Sequence, residues 1–189
     1  MKKLFKLSNC IILCLSFFTI LSCSKDEMSA DTQLRVSDAT AVTTNDMIGS
    51  WNLSAMIADV AIDLDENESS SKNLLDETDC FNTMYITFNQ DGTFVTNNAQ
   101  MTFESGAAND QFSCLTDRMD SGTWEVRENK LVLSMVLNNE TFTHEKSINL
   151  GSNKFSFDIT KIESDQYVND PGNTQASPIR ILELEYTKA

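Results

Sequence analysis

The chain has 189 residues, which fits one domain of ordinary size. Acidic residues outnumber basic ones 28 to 14, and a formal charge of −14 excludes the clustered Lys and Arg that phosphate contacts need, so no nucleic-acid partner is expected. A hydrophobic fraction of 41%, with 11 Phe and 2 Trp, supplies a buried core, while 6 Gly and 2 Pro exclude collagen-like or proline-rich arrays.

Residues 1–22 read as a leader. Lys2, Lys3 and Lys6 form a positive start, and Cys10 to Leu21 is an apolar run broken only by Ser16 and Thr19. That run is shorter than the roughly 20 residues a bilayer-spanning helix needs. Ile20-Leu21-Ser22-Cys23 follows and resembles the lipobox of bacterial lipoproteins, in which the cysteine is acylated and becomes the new N-terminus. The resemblance implies a membrane anchor at Cys23; the alternative is an ordinary secretory signal with Cys23 an incidental thiol. Cleavage removes three Lys and no acid, taking the charge from −14 to −17, so an anionic bilayer would repel the anchored domain.

Residues 23–46 hold the lipidation candidate and a stretch rich in Ser, Thr, Asp and Ala without aromatics, the composition of a flexible tether. Ser24-Lys25-Asp26-Glu27 resembles the export signal of surface lipoproteins in Bacteroidetes. It implies an outer-membrane protein facing the cell exterior, with a periplasm-facing location as the alternative.

Residues 47–189 form the expected folded domain, and its pattern is β. Trp51, Leu53, Ala55 and Ile57 alternate with Asn52, Ser54, Met56 and Ala58, the period of a strand. Thr83 to Gln90 is a second strand. Asp91-Gly92 turns it into Thr93 to Asn97, since such a pair supplies the positive φ of a tight hairpin. Gln100 to Glu104 is a further short strand, and residues 105–120 read as a loop. Gly122 to Arg127, Lys130 to Leu137, Thr141 to Ile148, Lys154 to Ile162 and Pro178 to Thr187 follow, separated by Glu128-Asn129, Asn138-Asn139 and Gly151-Ser152-Asn153. The expected fold class is all-β: one antiparallel barrel of about eight or nine strands. A short helix is expected over 72–77, and 163–177 is a second long polar loop.

The order of motifs is similar to that of the lipocalin-like lipoproteins of Bacteroidetes. Ile48-Gly49-Ser50-Trp51-Asn52-Leu53 opens the first strand, and Asp79-Cys80 leads into Tyr85-Ile86-Thr87-Phe88. Asp91-Gly92-Thr93-Phe94, Ser121-Gly122-Thr123-Trp124 and Leu131-Val132-Leu133 follow in turn. The resemblance implies a small lipocalin-like barrel and lends no catalytic residue. The acidic insert at 59–79 departs from true lipocalins.

Chemistry is sparse. Cys80 and Cys114 are an even pair in an exported domain and read as a disulfide. A catalytic Cys would want a His partner, and His144, the single His, reads as a surface residue between Thr143 and Glu145. Asp63-Leu64-Asp65-Glu66-Asn67-Glu68 places oxygen ligands at alternate positions like the start of a calcium loop, but Glu68 and Leu74 stand where that loop wants Gly and Glu. The segment is therefore expected to be a solvated loop, with no metal and no cofactor. No Gly-x-Ser-x-Gly, His-Glu-x-x-His or P-loop occurs, so the protein is not expected to be an enzyme. Trp51 and Trp124 read as core residues.

The expected function is binding of a small apolar or amphiphilic ligand inside the barrel. Phe88, Phe94, Met101, Phe103, Leu133, Met135, Phe155 and Phe157 are the candidate lining. Long connections 59–79, 105–120 and 163–177 should border the open end, and the acidic balance favours a neutral or cationic ligand. The alternative is an envelope interaction protein whose barrel is filled and which docks through its loops to a protein partner.

Overall fold

Tight turns set the strand order. In the computed structural model, which describes residues 41–104, 111–172 and 179–189, Glu128-Asn129 and Asn138-Asn139 have positive φ at both positions. This is the primed-turn geometry that matches strand twist. Gly92 has φ +81° at the Asp-Gly turn.

A single helical turn, α1 (Thr44–Met47), precedes β1 (Gly49–Ile62). The backbone amide and hydroxyl of Thr43 both donate to the Asp46 carboxylate, so order begins inside the stretch expected to be tether. Then come β2 (Ser71–Asn73), 3-10 turns at Leu74–Asp76 and Asp79–Phe81, β3 (Tyr85–Phe88) and β4 (Thr93–Phe103). Next are β5 (Phe112–Arg127), β6 (Lys130–Leu137), β7 (Glu140–Leu150) and β8 (Lys154–Asp158). The chain ends with α2 (Lys161–Ser164), β9 (Val168–Asn169) and β10 (Ile181–Lys188).

Eight strands, in the order β1-β3-β4-β5-β6-β7-β8-β10, pair antiparallel, and β10 returns to β1 from Trp51↔Lys188 to Ala58↔Ile181. The barrel is closed. Two short strands are added: β2 on β1, and β9 parallel to β4.

Four local expectations are corrected. The two strands expected over 93–104 are one strand, β4, with a register shift between Asn98 and Gln100. The loop expected up to residue 120 is instead strand from Phe112. Asp117 there adopts φ +60°, and exposure on both faces removes the apolar alternation that would reveal a strand. In place of a helix over 72–77 there is β2 followed by a 3-10 turn, whose Leu75 amide donates to the Asn73 side chain. The strand expected to reach Ile162 stops at Asp158, because Thr160 and Glu163 form a capping box that starts α2.

Directly paired residues on neighbouring strands share a face. Starting from buried Trp51, the register carries the inner face through Ile86 and Thr96 to Asp120. Phe88, Phe94 and Gly122 belong to the same face. Trp124 alternates with Gly122 and pairs with Leu133, which pairs with His144. Ile148, Phe157 and Leu184 continue the ring, and Leu184 pairs with Met56 of β1.

One end of this lumen is filled. Trp51, Phe88, Phe94 and Phe155 are almost wholly buried. Ring centroids lie 4.9 Å apart for Trp51–Phe155, 4.8 Å for Phe88–Trp124 and 5.2 Å for Phe155–Tyr186. Both indoles are satisfied, Trp51 Nε1 donating to the Met47 carbonyl at 2.7 Å and Trp124 Nε1 to the Asn89 carbonyl at 3.0 Å. Both tryptophans are core residues, as expected. Buried Met47 of α1 closes this end, where the short turns after β3, β5 and β7 also lie.

Candidate functional site

The opposite end of the lumen is open. There β5 and β6 part company: their pairing runs from Arg127↔Lys130 to Thr123↔Ser134 and stops. Beyond it, among the described residues, β5 is paired only with β4 over Phe112–Gly122, and the last three residues of β6 only with β7. The resulting fork leaves inner-face residues in contact with solvent. Phe142, paired with Met135, is 43% exposed, and Leu133 and Met135 are only partly buried. A small open pocket of about 220 Å3 lies beside the fork, lined by Trp124 and by Thr123, Glu125, Val132 and Ser134, which belong to the outward face, so it is not part of the lumen. It is also below the size of an ordinary small-molecule cavity.

Charged groups stand on the same inner face. Asn98 pairs with Arg118, and Thr96 with Asp120. The Asn98 amide donates to Asp120 at 2.9 Å, and the Arg118 guanidinium lies 3.6 Å from the same carboxylate. On β7, Phe142, His144 and Lys146 alternate along the inner face. Lys146 lies over the Phe157 ring, 5.6 Å from its centroid, and is ion-paired to Glu163 of α2. His144 Nδ1 is 3.5 Å from the other Glu163 oxygen. His144 is thus exposed, as expected, yet directed to the lumen side.

The segment carrying α2 and β9 holds part of this end in place. The Ile181 amide donates to the Ser164 hydroxyl at 2.8 Å, and the Met101 amide to the Tyr167 carbonyl at 2.8 Å. Burial pulls the Glu163 carboxyl upward, but hydrogen bonds from Lys146 and Thr160 outweigh it and hold the group below its ordinary value. Burial pushes the Tyr167 hydroxyl up to about 12, with Arg118 opposing and Glu163 and Asp120 reinforcing the shift. Tyr167 is therefore a neutral donor at physiological pH.

The candidate lining residues divide into three groups. Phe88, Phe94 and Phe155 are packed in the filled end, with Phe157 partly buried beside Phe155 and Tyr186. Leu133 and Met135 stand at the open fork. Met101 and Phe103 lie beyond the β4 register shift, paired with Cys114 and Phe112. They are buried there, with the Phe103 and Phe112 rings 5.4 Å apart. Cys80 and Cys114 form a disulfide with Cα atoms 5.5 Å apart, tying the second 3-10 turn to β5. Cys23 lies outside the described residues.

Sequence reasoning missed Arg118, Asp120, Lys146, Glu163 and Tyr167. A faint signal existed in Phe142-Thr-His144-Glu-Lys146, an alternating segment whose inward positions include the polar His144 and Lys146.

No curated protein and no solved structure matches the chain. The lipocalin-like domain family matches residues 47–157. That segment exceeds half of the sequence and covers seven of the eight barrel strands, so the chain belongs to the lipocalin-like domain family.

Proposed function

We propose that the protein is a lipid-anchored, surface-facing envelope lipoprotein that binds a small amphiphilic molecule in the open end of its barrel, without catalysis. One observation carries the binding reading: inner-face residues are packed at one end of the lumen and solvent-exposed at the other. A barrel filled throughout would bury Phe142 and Met135 as it buries Phe155. The apolar part of the ligand rests on Leu133, Met135 and Phe142. Its polar part faces Arg118, Asp120 and His144.

The ligand is neutral or cationic. At the open end the inward cations Arg118 and Lys146 are already matched by Asp120 and Glu163. The chain's net charge of −14 opposes the approach of anions. The anchor and exterior location rest on the lipobox-like Ser22-Cys23 and the acidic residues after it.

The test is titration with neutral, cationic and anionic single-chain amphiphiles, read by Trp fluorescence because Trp124 pairs with Leu133 beside the fork. Neutral amphiphiles should bind, and Met135→Trp, which fills the open end, should weaken them at least about tenfold, a loss of about 1.4 kcal/mol. Exclusive binding of anionic amphiphiles would overturn the charge argument. Failure of all three classes would return the barrel to a docking role.

A further inference from the structure

The lumen holds two phenols that the fold itself does not use. Tyr186 of β10 pairs with Leu53 and Phe155, so it stands on the inner face. Its ring is stacked on Phe155 at 5.2 Å and lies 6.1 Å from Phe157, and the residue is only 4% exposed. Tyr167 enters from the segment between α2 and β9 and packs, half-buried, against the same core. Its carbonyl accepts the Met101 amide, which fixes the backbone that carries the ring. Among the described residues Tyr85 is the only tyrosine whose hydroxyl has a partner, the Met119 sulfur at 3.9 Å. Among those residues, too, the one enclosed side-chain polar atom without a partner is Asn97 Oδ1. The Tyr167 and Tyr186 hydroxyls therefore open onto accessible space. A buried tyrosine normally gives its hydroxyl a partner, because withdrawing it from water is otherwise uncompensated. Burial raises both phenols, and Tyr167 adds to the rise at Tyr186, so the two are neighbours and both remain neutral donors at physiological pH.

We propose that the Tyr167 and Tyr186 hydroxyls form a polar floor beneath the open end and select a ligand head with an uncharged oxygen acceptor, as in a long-chain alcohol or amide. This deepens the binding reading and rests on it. A phenol has one hydrogen to donate and needs an acceptor for it. An ammonium head offers none. A carboxylate offers one, but it would stand near Asp120 and Glu163, whose charges already act on Tyr167, while Arg118 and Lys146 are already paired to them. A hydroxyl or carbonyl oxygen accepts the hydrogen without bringing a charge to be desolvated. Leu133 and Met135 at the fork are left for the alkyl tail.

The test is titration of the full chain with decanol, decyltrimethylammonium and decanoate, followed by NMR of tyrosines isotope-labelled at the ring carbon that bears the hydroxyl. The chain has 3 tyrosines, and Tyr85, on the outward face, serves as the internal control. Decanol should move the Tyr167 and Tyr186 signals, leave the Tyr85 signal in place, and bind more tightly than either charged amphiphile. Tyr167→Phe and Tyr186→Phe should each weaken decanol about three- to tenfold, the loss of one neutral hydrogen bond. Neither should lower the unfolding midpoint of the ligand-free protein, because neither hydroxyl is bonded within the fold. A lowered ligand-free midpoint in both variants would reveal internal partners and overturn the proposal. Tighter binding of either charged amphiphile would overturn it as well. So would decanol binding that leaves both signals unmoved and is unchanged in both variants, a result under which amphiphile binding itself still stands. Failure of all three amphiphiles to bind overturns the proposal together with the binding reading.

Discussion

Lys146 of β7 is ion-paired to Glu163 of α2, joining the inner face of the barrel to the segment that partly covers its open end. Lys146 is 12% and Glu163 21% exposed, so the pair is shielded more than a surface ion pair. The same carboxylate accepts the Thr160 amide at 2.9 Å, so one group both caps α2 and anchors it.

Glu163→Gln should therefore cost about 1 kcal/mol at neutral pH, between the values of an exposed pair and a fully buried one. The pH dependence has a defined sign. The folded Glu163 carboxyl titrates below its ordinary 4.5, so its stabilisation is present above about 4.5 and disappears as pH falls through the lower folded value. Urea unfolding of both proteins at pH 7 and near pH 3 reads this directly. The gap between them should shrink at acid pH; an equal gap at both would show that the charge is not what holds α2.

Two phenylalanines separate the packed end from the open one. Phe155 touches Trp51, Phe88, Phe157 and Tyr186 and is 1% exposed, so Phe155→Ala should cost about 3–5 kcal/mol. Phe142 shares the inner face but is 43% exposed, and Phe142→Ala should cost less than about 1 kcal/mol while reducing amphiphile binding. Denaturant midpoints and fluorescence titrations on the two variants make the comparison. A large stability loss in Phe142→Ala would mean that the open end is core.

The Cys80–Cys114 bridge spans 34 residues and fastens the second 3-10 turn to a stretch of β5 that has lost its pairing with β6. In the chain-entropy account, closing a loop of that length stabilises the fold by about 4 kcal/mol. The double variant Cys80→Ser, Cys114→Ser should show a matching fall in unfolding free energy, and reduction should shift the original protein by a similar amount. A bridge whose removal changes neither midpoint is not holding the hairpin.

What could be read in the sequence was what alternation and turn chemistry encode. Lys130–Leu137 has the bounds expected of it, because a left-handed residue pair stands at each end and the strand alternates throughout. Ser113–Ser121 was illegible for the opposite reason: exposed Leu115 and Met119 share no buried face with a period. The inner face failed as a rule at His144 and Lys146, since an open barrel end tolerates polar groups that alternation assigns to the outside.

The anchor rests on sequence alone and is the easiest reading to test. Two acyl chains at Cys23 would contribute about 0.8 kcal/mol per buried methylene and hold the protein durably, whereas a domain of charge −17, as the proposed cleavage would leave it, would have no electrostatic reason to remain at an anionic surface. Cys23→Ala should therefore release the protein from the membrane fraction or leave it as an uncleaved precursor. Protease added to intact cells should digest the original protein, and replacing Asp26 and Glu27 with their amides should protect it by retaining it inside. A Cys23→Ala protein of mature size that still sediments with membranes would remove the lipid anchor. Protection of the unaltered protein in intact cells would turn the domain toward the periplasm and leave the anchor standing.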